Sequence, residues 1–428
     1  MGRRPSVDAG GSFPLTRQRR SPVEAKNGRR FIDSDGHILE HPTEMVDFAP
    51  AAYRERIWHI ETDRDGTEWL LFDRTRIPAN GLAVAGTAGM SAEDNRRAMA
   101  GEMKYTEVRP AAYNAKARLE DMTEDGIDKS VLYPTMLLGI QSNRDVDFAE
   151  VQCRAYNDWL SAHLADGDQR LFGAAALPQQ DIERAAKELR RAATLPGIVA
   201  AFIRPNPTAD WWPFSDPVYD PLWQAASDTG LPLGLHPFFQ SDLPGACLGM
   251  HLYRIHRDPP LPQAGSIDES SGTPVADNLL FSQLIANPFD MMSSIAFLVG
   301  GGVCARFPDL KLIFLESNGG WIVPWLERLD HHCEVELYKP DIPHTKLAPS
   351  EYFRRQCWIS FDADESTIAF TANSPLVGAD RIIWASDYPH PDAKFPGVTA
   401  ELAEAIAPLT EEQQRLIAGG NAEALYGI

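Results

Sequence analysis

Short apolar runs rich in β-branched residues alternate along this chain with segments whose apolar residues recur at helical spacing. The first run is FIDSD at 31–35. It is followed by KSVLYP (129–134), LFGAAALP (171–178), GIVAAFIRP (197–205), LPLGLHP (231–237), LKLIFLE (310–316), CWISFD (357–362) and RIIWASD (381–387). Helical patterns fall at 111–125, 148–164, 181–193, 217–228, 289–305, 323–337, 367–373 and 410–417. The clearest is DIERAAKELRRAA at 181–193, where Asp181 is a natural N-cap and Ile182, Ala185, Ala186 and Leu189 share one face.

Eight strands, nearly all followed by a helix, predict an α/β protein of the closed parallel (β/α)₈ (TIM) type. An open doubly wound sheet would carry a glycine-rich phosphate turn after its first strand. This chain has Asp35-Gly36-His37 there instead. Two insertions interrupt the rhythm, 40–109 after the first strand and 238–287 after the fifth. Both leave the rim where barrel loops carry function, so they are read as lids on a single domain covering 31–428.

Composition narrows the function classes. The chain has 428 residues, 44% of them hydrophobic, enough for one large barrel core. A net charge of -20 disfavours a nucleic-acid partner. Residues 1–30 reverse that balance, with eight basic residues against two acidic ones, and read as a disordered basic arm without the apolar stretch of a secretory signal. No run approaches the ~18 apolar residues of a membrane span. Five cysteines (Cys153, Cys247, Cys304, Cys333, Cys357) lack any CxxC spacing, which predicts free thiols and a cytoplasmic location.

The candidate chemistry sits where the strands stop. Asp35 and His37 are two residues apart in an extended segment, so they point the same way. His236 ends the fifth strand, Glu316 the sixth and Asp387 the eighth. Strand ends of a barrel converge above its mouth, and a mixed imidazole and carboxylate set suits Zn²⁺, Mn²⁺ or Fe²⁺. Three carboxylates would leave one divalent ion outweighed. Either Glu316 keeps a proton, or a second metal or a cationic side chain joins. Arg204, after the fourth strand, could grip a substrate carboxylate in bidentate fashion or pair with a loop acid. Trp211 and Trp212 could wall an aromatic substrate or pack a lid. His251 and His256 lie in the second insertion, and His390 follows Asp387 by three residues.

From residue 31 onward the chain resembles the amidohydrolase-related group of the amidohydrolase superfamily, which includes aminocarboxymuconate-semialdehyde and resorcylate-type decarboxylases. The segments that carry the resemblance include DSDGHILEHP, DMTEDGIDKSVLYPT, LPLGLHPF, GGVCARFPDLKLIFLESNGGWIVPWLERLD and IIWASDYPHPDAKFPG. It implies a mononuclear metal held by Asp35, His37, His236 and Asp387, with Asp387 also moving a proton. The chain departs from the family pattern at three places. Asp35 stands where relatives carry Glu or His, Glu316 where several decarboxylases carry His, and Asn287 where relatives often have the His of a His-Pro pair.

Three functions are carried forward. The first is a metal-dependent hydrolase or decarboxylase acting on a small carboxylated cyclic or aromatic compound. The second is a non-haem iron oxygenase that adds Glu316 to the ligands. The third is a non-catalytic binding protein. The apolar segment 321–337 is compatible with a homodimer.

Overall fold

All eight strands expected from the alternation form, and they pair in parallel in chain order. The structure is a computed structural model, and it describes residues 29–208, 212–238, 243, 280 and 282–428. Its strands are β1 (Ile32–Ile38), β2 (His59–Thr62), β3 (Glu68–Phe72), β4 (Thr75–Pro78), β5 (Lys129–Pro134), β6 (Leu171–Ala176), β7 (Ile198–Ile203), β8 (Leu233–Leu235), β9 (Leu312–Phe314), β10 (Cys357–Asp362) and β11 (Ile382–Ala385). The main sheet runs β1-β5-β6-β7-β8-β9-β10-β11. The intervening helices begin and end as local chemistry directs. Asp181 accepts a hydrogen bond from Arg184 N to start Ile182–Ala192, and Asn114 does the same for Ala115–Asp125, which Gly126 ends at φ 76°.

The seam between β11 and β1 closes just past the end of β11. Asp387 N donates to Asp35 O at 3.1 Å, and His37 N donates to Tyr388 O at 2.8 Å. Asp33 reinforces the seam from below. Its carboxylate accepts from Ser386 N (2.9 Å), Ser386 Oγ (2.8 Å) and Ser130 Oγ (2.7 Å). The register of β1 against β5 shifts between Asp33 and Gly36, and only glycine fits at that shift. A Cβ on Gly36 would lie 2.4 Å from Asp33 Oδ2 and 2.6 Å from Ser130 Oγ.

Several boundaries differ from the sequence expectation. β1 runs on to Ile38 instead of stopping at Asp35, because its pairing with β5 continues through His37 and Ile38. The first insertion is more than a lid. It holds the antiparallel sheet β2-β3-β4 and clasps the helix Val146–Leu164. Gln152 Oε1 in that helix accepts from Trp58 N at 2.9 Å, and Trp159 Nε1 donates to Glu44 at 3.0 Å. Alternation was hard to see in strands this short. The second insertion ends earlier than expected, since helical backbone already begins with a π-type turn at Ser282–Ala286. A wide turn ahead of Pro288 accommodates the N–H that proline lacks.

One helical run, Gln283–Arg306, is long and apolar enough to cross a membrane, contrary to the expectation that no segment would be. Its composition has another use here, since 56% of its most apolar window is buried inside the protein. The expected basic arm lies outside the described residues except for Arg29 and Arg30, whose guanidinium groups meet Gln414 and Glu423.

Candidate metal centre

Five side chains from four strand ends meet above the barrel. His37 Nε2 and His236 Nε2 are 3.1 Å apart. Asp35 Oδ1 lies 3.5 Å from His236 Nε2 and 3.8 Å from His37 Nε2. Asp387 Oδ1 is 3.4 Å from His37 Nε2, and Glu316 Oε2 is 3.4 Å from His236 Nε2. Neighbouring donors around one ion with bonds of about 2.1 Å stand about 3.0–3.4 Å apart; the shortest of these spacings meet that, and the potential ligands fall into two gatherings that share His37, Asp35 with His37 and His236, and His37 with Asp387 and His390. The β5 strand contributes indirectly, through Pro134 O and Thr135.

The hydrogen bonds fix what each imidazole offers. His37 Nδ1 is 2.9 Å from Pro134 O, and His236 Nδ1 is 2.8 Å from Pro237 O. A carbonyl oxygen only accepts, so both Nδ1 atoms carry a proton, which leaves the two Nε2 atoms facing the centre as the positions a cation would take. Two lone pairs at 3.1 Å repel unless a cation or proton lies between them. Asp35 adds to this. It is 1% exposed, and its Oδ1 has no hydrogen-bond partner. A buried carboxylate oxygen left unpaired is costly, and coordination to a cation would satisfy it.

Electrostatics point the same way. Burial, followed by the nearby His390 and His236 rings, holds His37 well below the usual histidine range. Burial depresses His236 too, but Asp35 and Glu316 outweigh it and leave this ring more basic than usual. Glu316 is pushed up to about 8, chiefly by burial. Asp387 is lifted well above the usual carboxylate range by burial, then by Glu316, Asp392, Asp35 and Asp362. The site therefore has an excess of negative charge. Backbone strain marks the same two acids, since Glu316 (φ 42°) and Asp387 (φ 53°) occupy the left-handed region that side-chain-bearing residues avoid.

The remaining sequence candidates divide. His390 joins the centre. Its Nδ1 is 2.7 Å from Asp387 Oδ1 and its Nε2 is 3.2 Å from Thr135 Oγ1, which makes it a neutral ring donating to the carboxylate and accepting from the hydroxyl. Burial, its largest influence, lowers it to about 4, consistent with that state. Asn287 is also brought in, its Nδ2 donating to Glu316 O at 3.1 Å. Arg204 is buried after β7, where Nη1 reaches Leu138 O at 3.4 Å and the guanidinium lies 5.3 Å from the Phe238 ring centroid. Trp212 is half exposed and makes no approach to the centre in any contact described for it, its carbonyl accepting from Tyr219 Oη at 3.0 Å. Trp211, His251 and His256 lie outside the described residues.

Two supporting residues escaped the sequence reading. Arg118, buried, donates to the carbonyl oxygens of His37 and Tyr388 and lies 4.4 Å from the Tyr388 ring centroid, pinning the β1/β11 seam. Thr135 orients His390. Neither residue type announces a site. Only the position of Thr135 directly after a barrel strand was a usable signal.

A family model described as "Amidohydrolase" matches residues 32–428. The chain belongs to the amidohydrolase family. Two relatives within it are a 2-amino-3-carboxymuconate-6-semialdehyde decarboxylase from Dictyostelium discoideum and a gamma-resorcylate decarboxylase from Polaromonas sp. The first is 23% identical over 76% of this chain and 79% of the relative. The second is 26% identical over 73% of this chain and 86% of the relative. A crystal structure of a dihydroxybenzoic acid decarboxylase from Polaromonas sp., with bound manganese and 2-nitroresorcinol, superimposes with a TM-score of 0.59. It covers 93% of this chain and 97% of that chain at 20% identity, a likeness of fold. This amidohydrolase-family chain is thus an enzyme, with a strand-end cluster whose donor set fits a divalent metal.

Proposed function

We propose that the protein is a metal-dependent decarboxylase, a carbon–carbon lyase acting on a small carboxylated aromatic compound, with Asp35, His37, His236 and Asp387 as metal ligands. The observation that carries this reading is the pair of imidazole Nε2 atoms 3.1 Å apart beside a buried Asp35 oxygen that makes no hydrogen bond. The relatives' names supply the reaction class, and the manganese of the Polaromonas structure favours Mn²⁺ over Zn²⁺ or Fe²⁺. One ion per subunit is the expected number, because the two gatherings of potential ligands share His37.

A divalent ion bound there would supply Lewis-acid polarisation of substrate oxygens. The chain's own groups do the rest. Arg204 orients the substrate carboxylate with its planar guanidinium. As the bond to that carboxylate breaks and CO₂ leaves, the ring carbon must take up a proton. Asp387 is placed to deliver it, with His390 and Thr135 holding its carboxyl in orientation. Glu316, 3.4 Å from His236 Nε2, provides a second acid.

The test is anaerobic incubation of manganese-loaded protein with a panel of hydroxybenzoic acids, following CO₂ release. Stoichiometric CO₂ without oxygen supports the proposal, and no release from any panel member counts against it. Glu316, 3.4 Å from His236, keeps the iron-oxygenase reading in view. Oxygen uptake by iron-loaded protein would favour that reading. The scattered free thiols support a cytoplasmic location, and exposed Val335, Leu337 and Tyr338, at the end of the 321–337 segment and just beyond it, support a dimer.

A further inference from the structure

A cavity of about 250 Å³ opens beside the metal centre, with Glu316, Asp362 and Asp387 on its wall. The aim of the Asp387 carboxyl matters most for proton delivery, yet its backbone sits at φ 53°. A side-chain-bearing residue stays in that costly conformation only where its surroundings over-determine it. His390 Nδ1, 2.7 Å from Asp387 Oδ1, holds the tip of the side chain. It does not fix the backbone below.

The next residue does. Tyr388 is 5% exposed and is held at every polar atom. Its N donates to Ser386 Oγ at 3.2 Å, and its O accepts from His37 N at 2.8 Å and from Arg118 Nη2 at 3.2 Å. Those bonds would form with almost any residue at this position. The hydroxyl is the sequence-specific part, and it donates to Asp121 Oδ2. Phenylalanine would fill the same space, so packing alone does not call for that oxygen. A hydroxyl bonded to a buried carboxylate gives a strong and directional anchor.

The anchor is itself anchored. Arg109 grips both oxygens of Asp121, through Nε at 3.2 Å and Nη2 at 2.6 Å. The same guanidinium lies 4.9 Å from the Phe395 ring centroid, and Phe395 meets the Tyr388 ring edge-on at 5.1 Å. Ala88 N donates to Pro389 O at 3.1 Å. Gly89 leaves room for Phe395, since a Cβ there would lie 2.5 Å from Phe395 Cδ1. Ala88, Gly89 and Arg109 all belong to the first insertion, so that insertion grips the loop carrying Asp387 at several points.

We propose that Tyr388 is a positioning residue for Asp387. Tied through its hydroxyl to the Arg109–Asp121 pair, it keeps the strained Asp387 backbone in the conformation that aims the carboxyl at the metal centre. The consequence for proton delivery rests on the function proposed above; the geometric claim does not.

The test is Tyr388→Phe in the full chain, read in two ways. In crystals grown without added metal, Asp387 Oδ1 is expected to move beyond about 3.5 Å from His390 Nδ1, outside hydrogen-bond reach. With manganese content at the wild-type level, kcat on the best panel substrate should fall about 10–100-fold while KM stays within about twofold. Asp121→Asn, whose amide oxygen still accepts from the hydroxyl, should cost less than about fivefold. An unmoved Asp387 in the variant crystal overturns the proposal. So does a fall in kcat matched by an equal rise in KM, the mark of a general loosening of the site. A wild type that releases no CO₂ from any panel acid sinks the proposed function instead, and the crystallographic comparison still decides this inference.

Discussion

His37 and His236 bring their Nε2 atoms within 3.1 Å of each other, each ring held through Nδ1 by a backbone carbonyl on its far side. The relationship is assembled from two strand ends 199 residues apart in the chain. It is stable only with positive charge between the rings, and Asp35 stands beside them with an oxygen that nothing else satisfies. This triad is the basis for reading the site as a metal centre.

Removing one of the two rings should remove the ion. His236→Asn is expected to lower metal occupancy at least tenfold after dialysis, measured by elemental analysis, while far-ultraviolet circular dichroism stays at wild-type values. Full occupancy in this variant would show that the imidazole is not a ligand.

Asp387→Asn keeps the shape of the side chain and removes the proton it moves. A fall in kcat of about 10²–10⁴ is expected with KM changed little, measured on the protein's best panel substrate. His390→Gln, which disturbs only the orientation of that carboxyl, should cost less, about 10–100-fold. Equal losses would place His390 in direct contact with the reaction.

Arg204→Lys retains a charge but not the planar fork. If the guanidinium grips a carboxylate, KM should rise about tenfold or more with a smaller effect on kcat, since a charge-assisted hydrogen bond contributes about 1.5–3 kcal/mol. An unchanged KM would leave Arg204 a buried structural residue between Leu138 O and Phe238.

The strand ends were legible in the sequence because a barrel converts them into neighbours. Asp35, His37, His236, Glu316, Asp387 and His390 could all be named from their place after an apolar run. What stayed hidden depends on tertiary contact. The β2-β3-β4 sheet was obscured by strands of four or five residues with mixed polarity. Arg118 acts through backbone carbonyls of two other segments, which no local pattern encodes. Asp362 ends a strand as visibly as Asp387 does, but its place on the cavity wall appears only once β10 is set beside β11. Asn287 stands out in the sequence only by departing from a family pattern, and its hydrogen bond to Glu316 O exists only in the folded chain.

Stability should carry the mark of Glu40. This fully buried carboxyl accepts from Met136 N and Leu137 N at 3.0 Å each, and burial still raises it from 4.5 to about 7. A group more basic in the folded chain than in the unfolded one contributes stability that is complete below pH 4.5 and is lost as pH rises through 7. Relative to Glu40→Gln, the wild type should therefore lose up to about 3 kcal/mol between pH 4.5 and 7.5, at about 1.4 kcal/mol per unit. Denaturant unfolding of both proteins across that range measures it, and a constant gap would contradict the assignment.

Anomalous diffraction from crystals of the manganese-loaded protein locates the ion without reference to activity. One peak within about 2.5 Å of His37 Nε2, His236 Nε2 and carboxylate oxygens of Asp35 and Asp387 is the expected result. A peak elsewhere, or none at those side chains with metal in excess, would contradict the account at its foundation.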